Sequence, residues 1–177
     1  EDGEEVDSVS VIRWRPILGD IETVAKVRIP VLASATMQSG AERLEIKAEV
    51  PFTPADAWTA LPEGSLAIVR SSPIRLEMRT PDGEIRRGSP LTSKRRFAVT
   101  EAETKRFASL TFVDVDIPQT KPVIAGHQPV VGPSGEVWVE LSGSLDAPRE
   151  YLIFDRSGDA YLRARLDHRD KLLLVAV

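Results

Sequence analysis

The sequence predicts an all-β fold assembled from four-stranded antiparallel sheets, with one short helix inserted between two of them. Three observations carry this. Apolar stretches of strand length recur along the chain, several of them alternating apolar and polar residues with a period of two. Tight turns ending in glycine close them, at Pro62-Glu63-Gly64, Pro81-Asp82-Gly83, Pro133-Ser134-Gly135 and Arg156-Ser157-Gly158. The turns come in pairs: Gly64 and Gly83 lie 19 residues apart, and Gly135 and Gly158 lie 23 apart. Proline presets φ for the second position of such turns, and glycine supplies the positive φ at their end. One structural unit is therefore written twice.

The elements follow in order. Residues 1–7 are acidic and are expected to fray. Residues 8–14 alternate as a strand, Pro16 to Asp20 turn the chain, and 21–29 run back as its partner. Residues 31–57 are less regular. Within them 42–50 alternate, with Leu44, Ile46, Ala48 and Val50 on one face, which predicts a single half-exposed strand. The first complete unit covers 58–91. Its second strand holds Leu66-Ala67-Ile68-Val69, a continuous apolar run suited to burial on both faces. Its third, from Ile74 to Thr80, alternates, and Glu84 to Gly88 form a polar outer edge.

Residues 92–122 break this pattern. Thr100 followed by Glu103 is a capping box, and Ala102, Arg106, Phe107 and Leu110 suit a helix over about 100–110, ended by Pro118 and Pro122. The second complete unit covers 123–166, with a longer middle loop at 142–148, and Lys171 to Val177 read as the start of a further strand. Because the chain opens on an acidic stretch and stops within an apolar strand, both ends are expected to be cut from a longer chain.

These features resemble the six-bladed β-propeller repeats of the NHL and TolB-like superfamily. The residues that carry the likeness are the glycine turns, the strand with Trp138-Val139, and Tyr151-Leu-Ile-Phe-Asp-Arg-Ser-Gly158. More narrowly, Leu61 to Val69, Pro81 to Gly83, Val99 to Glu103 and Lys121-Pro122-Val123 look like an uncharacterised bacterial group of such propellers. The resemblance implies about two and a half blades: an outer hairpin and inter-blade excursion at 1–57, full blades at 58–91 and 123–166, a helical insertion at 92–122, and the start of a further blade at 167–177. For a bacterial propeller it favours a periplasmic or extracellular location.

Composition narrows the function classes. Of the 177 residues, 42% are hydrophobic and 28% charged, which is ordinary for a globular chain rather than a disordered one. The net charge is -4 and the charges are interspersed, which argues against a nucleic-acid binder, since that would need a basic face. No apolar run reaches the roughly 18 residues that a membrane helix needs. With no cysteine, disulfides, thiolate zinc and thiol catalysis are excluded. No nucleophile elbow, phosphate loop or dinucleotide fingerprint is present.

The remaining candidates are few. His127 lies in the Pro122–Pro129 connection, just before an expected inner strand and near where a propeller's channel would open. Lys94, Arg95 and Arg96 form a short basic run before the helix. His168 stands in a polar turn. Asp114 and Asp116 flank one valine, so an extended segment points both the same way. Propeller hydrolases of the superfamily hold calcium with carboxylates and asparagine near the axis, whereas this chain has no asparagine. Asp155 precedes a turn whose amides it is placed to accept. Trp58 and Trp138 fall on inner strands, where core packing is the expected role.

The expected function is thus a non-catalytic binding or interaction scaffold, with its contact region at 92–128 and His127, Arg95 and Arg96 as candidate ligand-binding residues. No catalytic residue, metal ligand or cofactor is assigned. The alternative is a part of a hydrolase or lactonase-like enzyme whose site further blades complete. The expected partner is a protein or a small molecule, and open strand edges add self-association.

Overall fold

The computed structural model describes residues 8–39, 42–93, 97–110, 113, 115–144 and 147–166. The class is all-β, with antiparallel sheets and one short helix. The first hairpin is β1 (Ser8–Arg15) with β2 (Asp20–Arg28), and the second is β3 (Leu32–Ser39) with β4 (Glu42–Glu49). A four-stranded meander follows: β5 (Ala57–Ala60), β6 (Leu66–Ser71), β7 (Ile74–Arg79) and β8 (Ile85–Arg87). The two-stranded ladder of β9 (Phe97–Ala98) and β10 (Thr120–Lys121) flanks the helix α1 (Glu101–Leu110). A second meander then runs through β11 (Val130–Val131), β12 (Val137–Glu140), β13 (Arg149–Phe154) and β14 (Ala160–Leu166).

The paired turns are built alike down to their hydrogen bonds. At the end of β5, the Gly64 amide donates to the Leu61 carbonyl, and the Leu61 amide to that of Ser65. The same two bonds recur from Gly83 and Thr80, from Gly135 and Gly132, and from Gly158 and Asp155. Each closing glycine is left-handed, with φ between 81° and 95°. This is the three-residue hairpin loop, a type I turn completed by a glycine bulge. In the last turn Asp155 Oδ1 accepts the amides of Ser157, Gly158 and Asp159, so this carboxylate is a structural part of the turn.

The main core lies between the two meanders. Ala67, Val69, Leu76 and Met78 of the first meet Val137, Val139 and Phe154 of the second, with Ile124. The sheets touch most closely where the chain leaves β8: a Cβ on Gly88 would lie 1.8 Å from the Gly158 carbonyl oxygen. The Ser89 amide then donates to Asp159 Oδ1 at 3.0 Å.

The opposite face of the first meander is covered by the β1–β2 hairpin, through Val11, Ala25 and Val27 against Leu66 and Ile68. This burial alters the reading of β7. Alternation assigns Glu77 to an exposed polar face, but that face is covered, and Glu77 is 2% exposed. Its carboxylate is held by Arg70, Arg79 and Arg87. Two of these arginines also donate to hairpin carbonyls, Arg70 to Lys26 at 2.7 Å and Arg79 to Val24 at 2.6 Å. Burial pushes the Glu77 carboxyl upward, but the hydrogen bonds and charges of Arg70 and Arg79 outweigh it, and its pKa lies below the ordinary range.

Two other expectations change. Residues 31–57 hold a complete hairpin rather than one strand, with β3 paired to β4 from Leu32↔Glu49 to Ser39↔Glu42. The small and polar Ala33-Ser34-Ala35-Thr36 carry too weak a contrast to signal a strand. Trp58 is 43% exposed rather than a core residue. It shares its face with Ile68, toward a hairpin of only two strands, and remains open at the sheet's edge. Trp138 is half-buried against Tyr151, with ring centroids 6.2 Å apart. Residues 1–7 and the strand expected from Lys171 lie outside the described residues.

Candidate functional site

A cleft of about 470 Å³ opens where α1, the β9–β10 ladder and residues 142–144 and 147–148 of the second meander meet. Its inner wall begins with the helix cap. Glu103 Oε2 accepts the Thr100 amide at 3.0 Å, and the Glu103 amide donates to Thr100 Oγ1 at 3.3 Å. This is the reciprocal capping box that the spacing predicts. The second oxygen of Glu103 takes the ammonium of Lys121, which also donates to the Gly143 carbonyl.

Both side chains of this pair are almost fully buried, Glu103 at 3% and Lys121 at 4% exposure. Burial raises the Glu103 carboxyl, yet the Lys121 and Thr100 hydrogen bonds prevail and its pKa is lowered. The pair fastens helix, ladder and loop together.

Aromatic rings complete this wall. Lys121 Nζ lies 5.4 Å from the centroid of the Phe52 ring. Phe52 in turn meets Phe107 of α1 edge-on, with centroids 5.0 Å apart at 79°. Phe52 follows β4 with φ of 60°, a left-handed conformation that costs a bulky residue about 1–2 kcal/mol. Its contacts with Phe107 and Lys121 hold it there. Phe97 also lines the cleft.

The rim is polar, and His127 reaches it through an irregularity in the first strand of the second meander. Ile124 bridges Leu141, and Val130 pairs with Trp138, so five residues, 125–129, stand opposite two, 139–140. The extra residues loop out at Gly126, whose φ is 76°. Such bulges re-aim side chains. Here His127 Nδ1 comes to 3.1 Å from Glu140 Oε2, and Arg149 Nη1 approaches the same oxygen at 3.5 Å. The hydrogen bond to Glu140 is the main reason that the His127 pKa is raised. The same bond, with the charges of His127 and Arg149, lowers Glu140.

Of the three residues singled out from the sequence, His127 lines this cleft, while Arg95 and Arg96 lie outside the described residues. So do Asp114 and His168, and Asp116 is exposed. Sequence reasoning missed Lys121, Glu140, Arg149 and Phe52. The expected contact region, 92–128, takes in Lys121 without singling it out, and Glu140, Arg149 and Phe52 lie outside that stretch. Among the described residues no group of three or more His, Cys, Asp or Glu is placed to hold a metal ion, and no helix is long and apolar enough to cross a membrane.

The arrangement combines an aromatic wall, a sealed ion pair and an accessible polar rim, as ligand clefts commonly do. No family model, curated protein or solved structure matches the chain, so these side chains are the basis for reading its function.

Proposed function

We propose that the chain is a non-catalytic binding scaffold of the propeller type, and that its ligand enters the cleft between α1 and the second meander. One observation carries this reading: an aromatic wall and the exposed His127 and Arg149, both drawn to Glu140, converge on one cleft of about 470 Å³. The four matching turns and the stacked four-stranded meanders support the resemblance to consecutive blades of an NHL or TolB-like propeller. The helical insertion lies between such units, where connecting segments often carry binding residues.

The test is a fragment screen followed by amide chemical shifts. Shifts grouped at Lys121, His127 and 141–149 support the reading. Binders that perturb only surfaces away from this cleft count against it.

Self-association is a second reading, favoured by the β1–β2 hairpin. Trp14 is 66% exposed, and Ile12, Ile17, Leu18 and Ile21 lie open beside it. Apolar patches of this kind mark contact surfaces, and the unpaired edges of two-stranded sheets invite pairing. A single-copy mass by light scattering at high protein concentration rules this out.

A further inference from the structure

Among the described residues the most accessible charge at the cleft is basic, although the lining holds both signs. Glu103 is sealed against Lys121. Glu140 is 17% exposed and turned toward His127 and Arg149. Glu150, 28% exposed, pairs with Arg163. The bases at the mouth are far more open, with the His127 side chain 66% exposed and Arg149 59%. Arg149 touches Glu140 through one nitrogen. A guanidinium has five donors, so this contact leaves others for a ligand. The second imidazole nitrogen of His127 is available in the same way, since Nδ1 is the atom that meets Glu140.

Behind this cationic mouth lie the half-buried rings of Phe52, Phe97 and Phe107. Apolar surface of this kind gains by losing water to a hydrocarbon body. Its position fixes the ligand's orientation, with the apolar body inward and the charge at the mouth.

We infer that the cleft takes a small organic anion, an apolar body carrying a single oxyanion head held by Arg149 and His127. This rests on the binding-scaffold reading and adds the chemical class of the ligand. Arginine recognises carboxylates through paired, charge-assisted hydrogen bonds, which gives the head group its specificity.

The experiment compares three probes of equal size on the full chain: 4-phenylbutyrate, 4-phenylbutyramide and 4-phenylbutylamine, each titrated while amide shifts are followed. The acid is expected to bind at the cleft about tenfold more tightly than the amide, the scale of one charge-assisted hydrogen bond, and to exceed the amine by more. With Arg149→Ala, at an exposed position, the acid is expected to lose that advantage over the amide. If the amide or the amine binds the cleft as well as the acid, the ligand class is wrong and the binding cleft stands. If none of the probes moves a cleft resonance at millimolar concentration, both are rejected.

Discussion

Glu103 and Lys121 form a buried ion pair in which one carboxylate serves two elements: one oxygen caps the helix whose first turn holds Glu103, and the other holds the strand that carries Lys121. Removing one partner leaves the other's charge stranded. Lys121→Met or Glu103→Ala is expected to cost about 3–5 kcal/mol in urea unfolding. Glu103→Gln with Lys121→Met keeps a capping side chain and strands no charge, so it is expected to be more stable than either single change. A double variant less stable than both singles would show that the pair itself, rather than its imbalance, matters.

Acid is expected to weaken the fold through its buried carboxylates. Glu77 and Glu103 both have folded pKa values below their unfolded ones. Their contribution is therefore complete above the unfolded carboxylate range and is lost as pH falls through the folded values. Unfolding free energy measured from neutral pH down to 3 should fall accordingly. With Glu77→Gln the curve should start lower at neutral pH and descend less steeply.

The approach of Gly88 to Gly158 gives a purely steric test. Gly88 is not left-handed, so alanine suits its backbone, but the new methyl would meet the Gly158 carbonyl. Gly88→Ala is expected to cost about 1–3 kcal/mol by overpacking. At Gly83 the space is open and φ is 93°, so Gly83→Ala isolates backbone strain instead. Its cost should be near 1–2 kcal/mol. Equal stability of Gly88→Ala and the parent would mean that the two meanders can separate at this point without loss.

The pair of His127 and Glu140 is expected to show in a titration. His127 is raised and Glu140 lowered, so the charged pair exists between those two values. The His127 contribution is complete below its unfolded pKa and disappears as pH rises through the folded one. Because His127 is exposed, the effect on stability is small, and the imidazole shifts are the better readout. With Glu140→Gln the His127 midpoint should move down toward the ordinary histidine value. An unchanged midpoint would mean that the pair does not form in solution.

The sequence made the repeat legible because its signals are local. A proline or arginine, a polar residue and a glycine are enough to define each turn, and Thr100 with Glu103 defines the helix start. Strand β6 was equally readable from its unbroken apolar run. The cleft was not, because its members come from four separate segments. Nothing near Lys121 in sequence announces that its partner lies on the helix, or that Gly143 will accept its second hydrogen bond. The alternation of residues 74–80 was legible too, but a periodic pattern cannot reveal that an earlier hairpin folds back over the face that holds Glu77. His127 was singled out for its place in a connecting segment, whereas its meeting with Glu140 follows from a bulge visible only once Ile124 and Val130 have found their partners.

The first meander is the only sheet among the described residues shown here with a packed cluster on each face, the hairpin on one side and the second meander on the other. In a stack held together by neighbour contacts, such a middle layer loses its environment only when both flanking layers have left. It should behave as the last unit to open. Amide deuterium uptake should thus be slowest at Ala67, Ile68, Val69 and Leu76, while β1, β2 and β14 exchange through smaller openings that leave the middle closed. Uniform uptake across all three layers would instead describe a molecule that opens only as a whole.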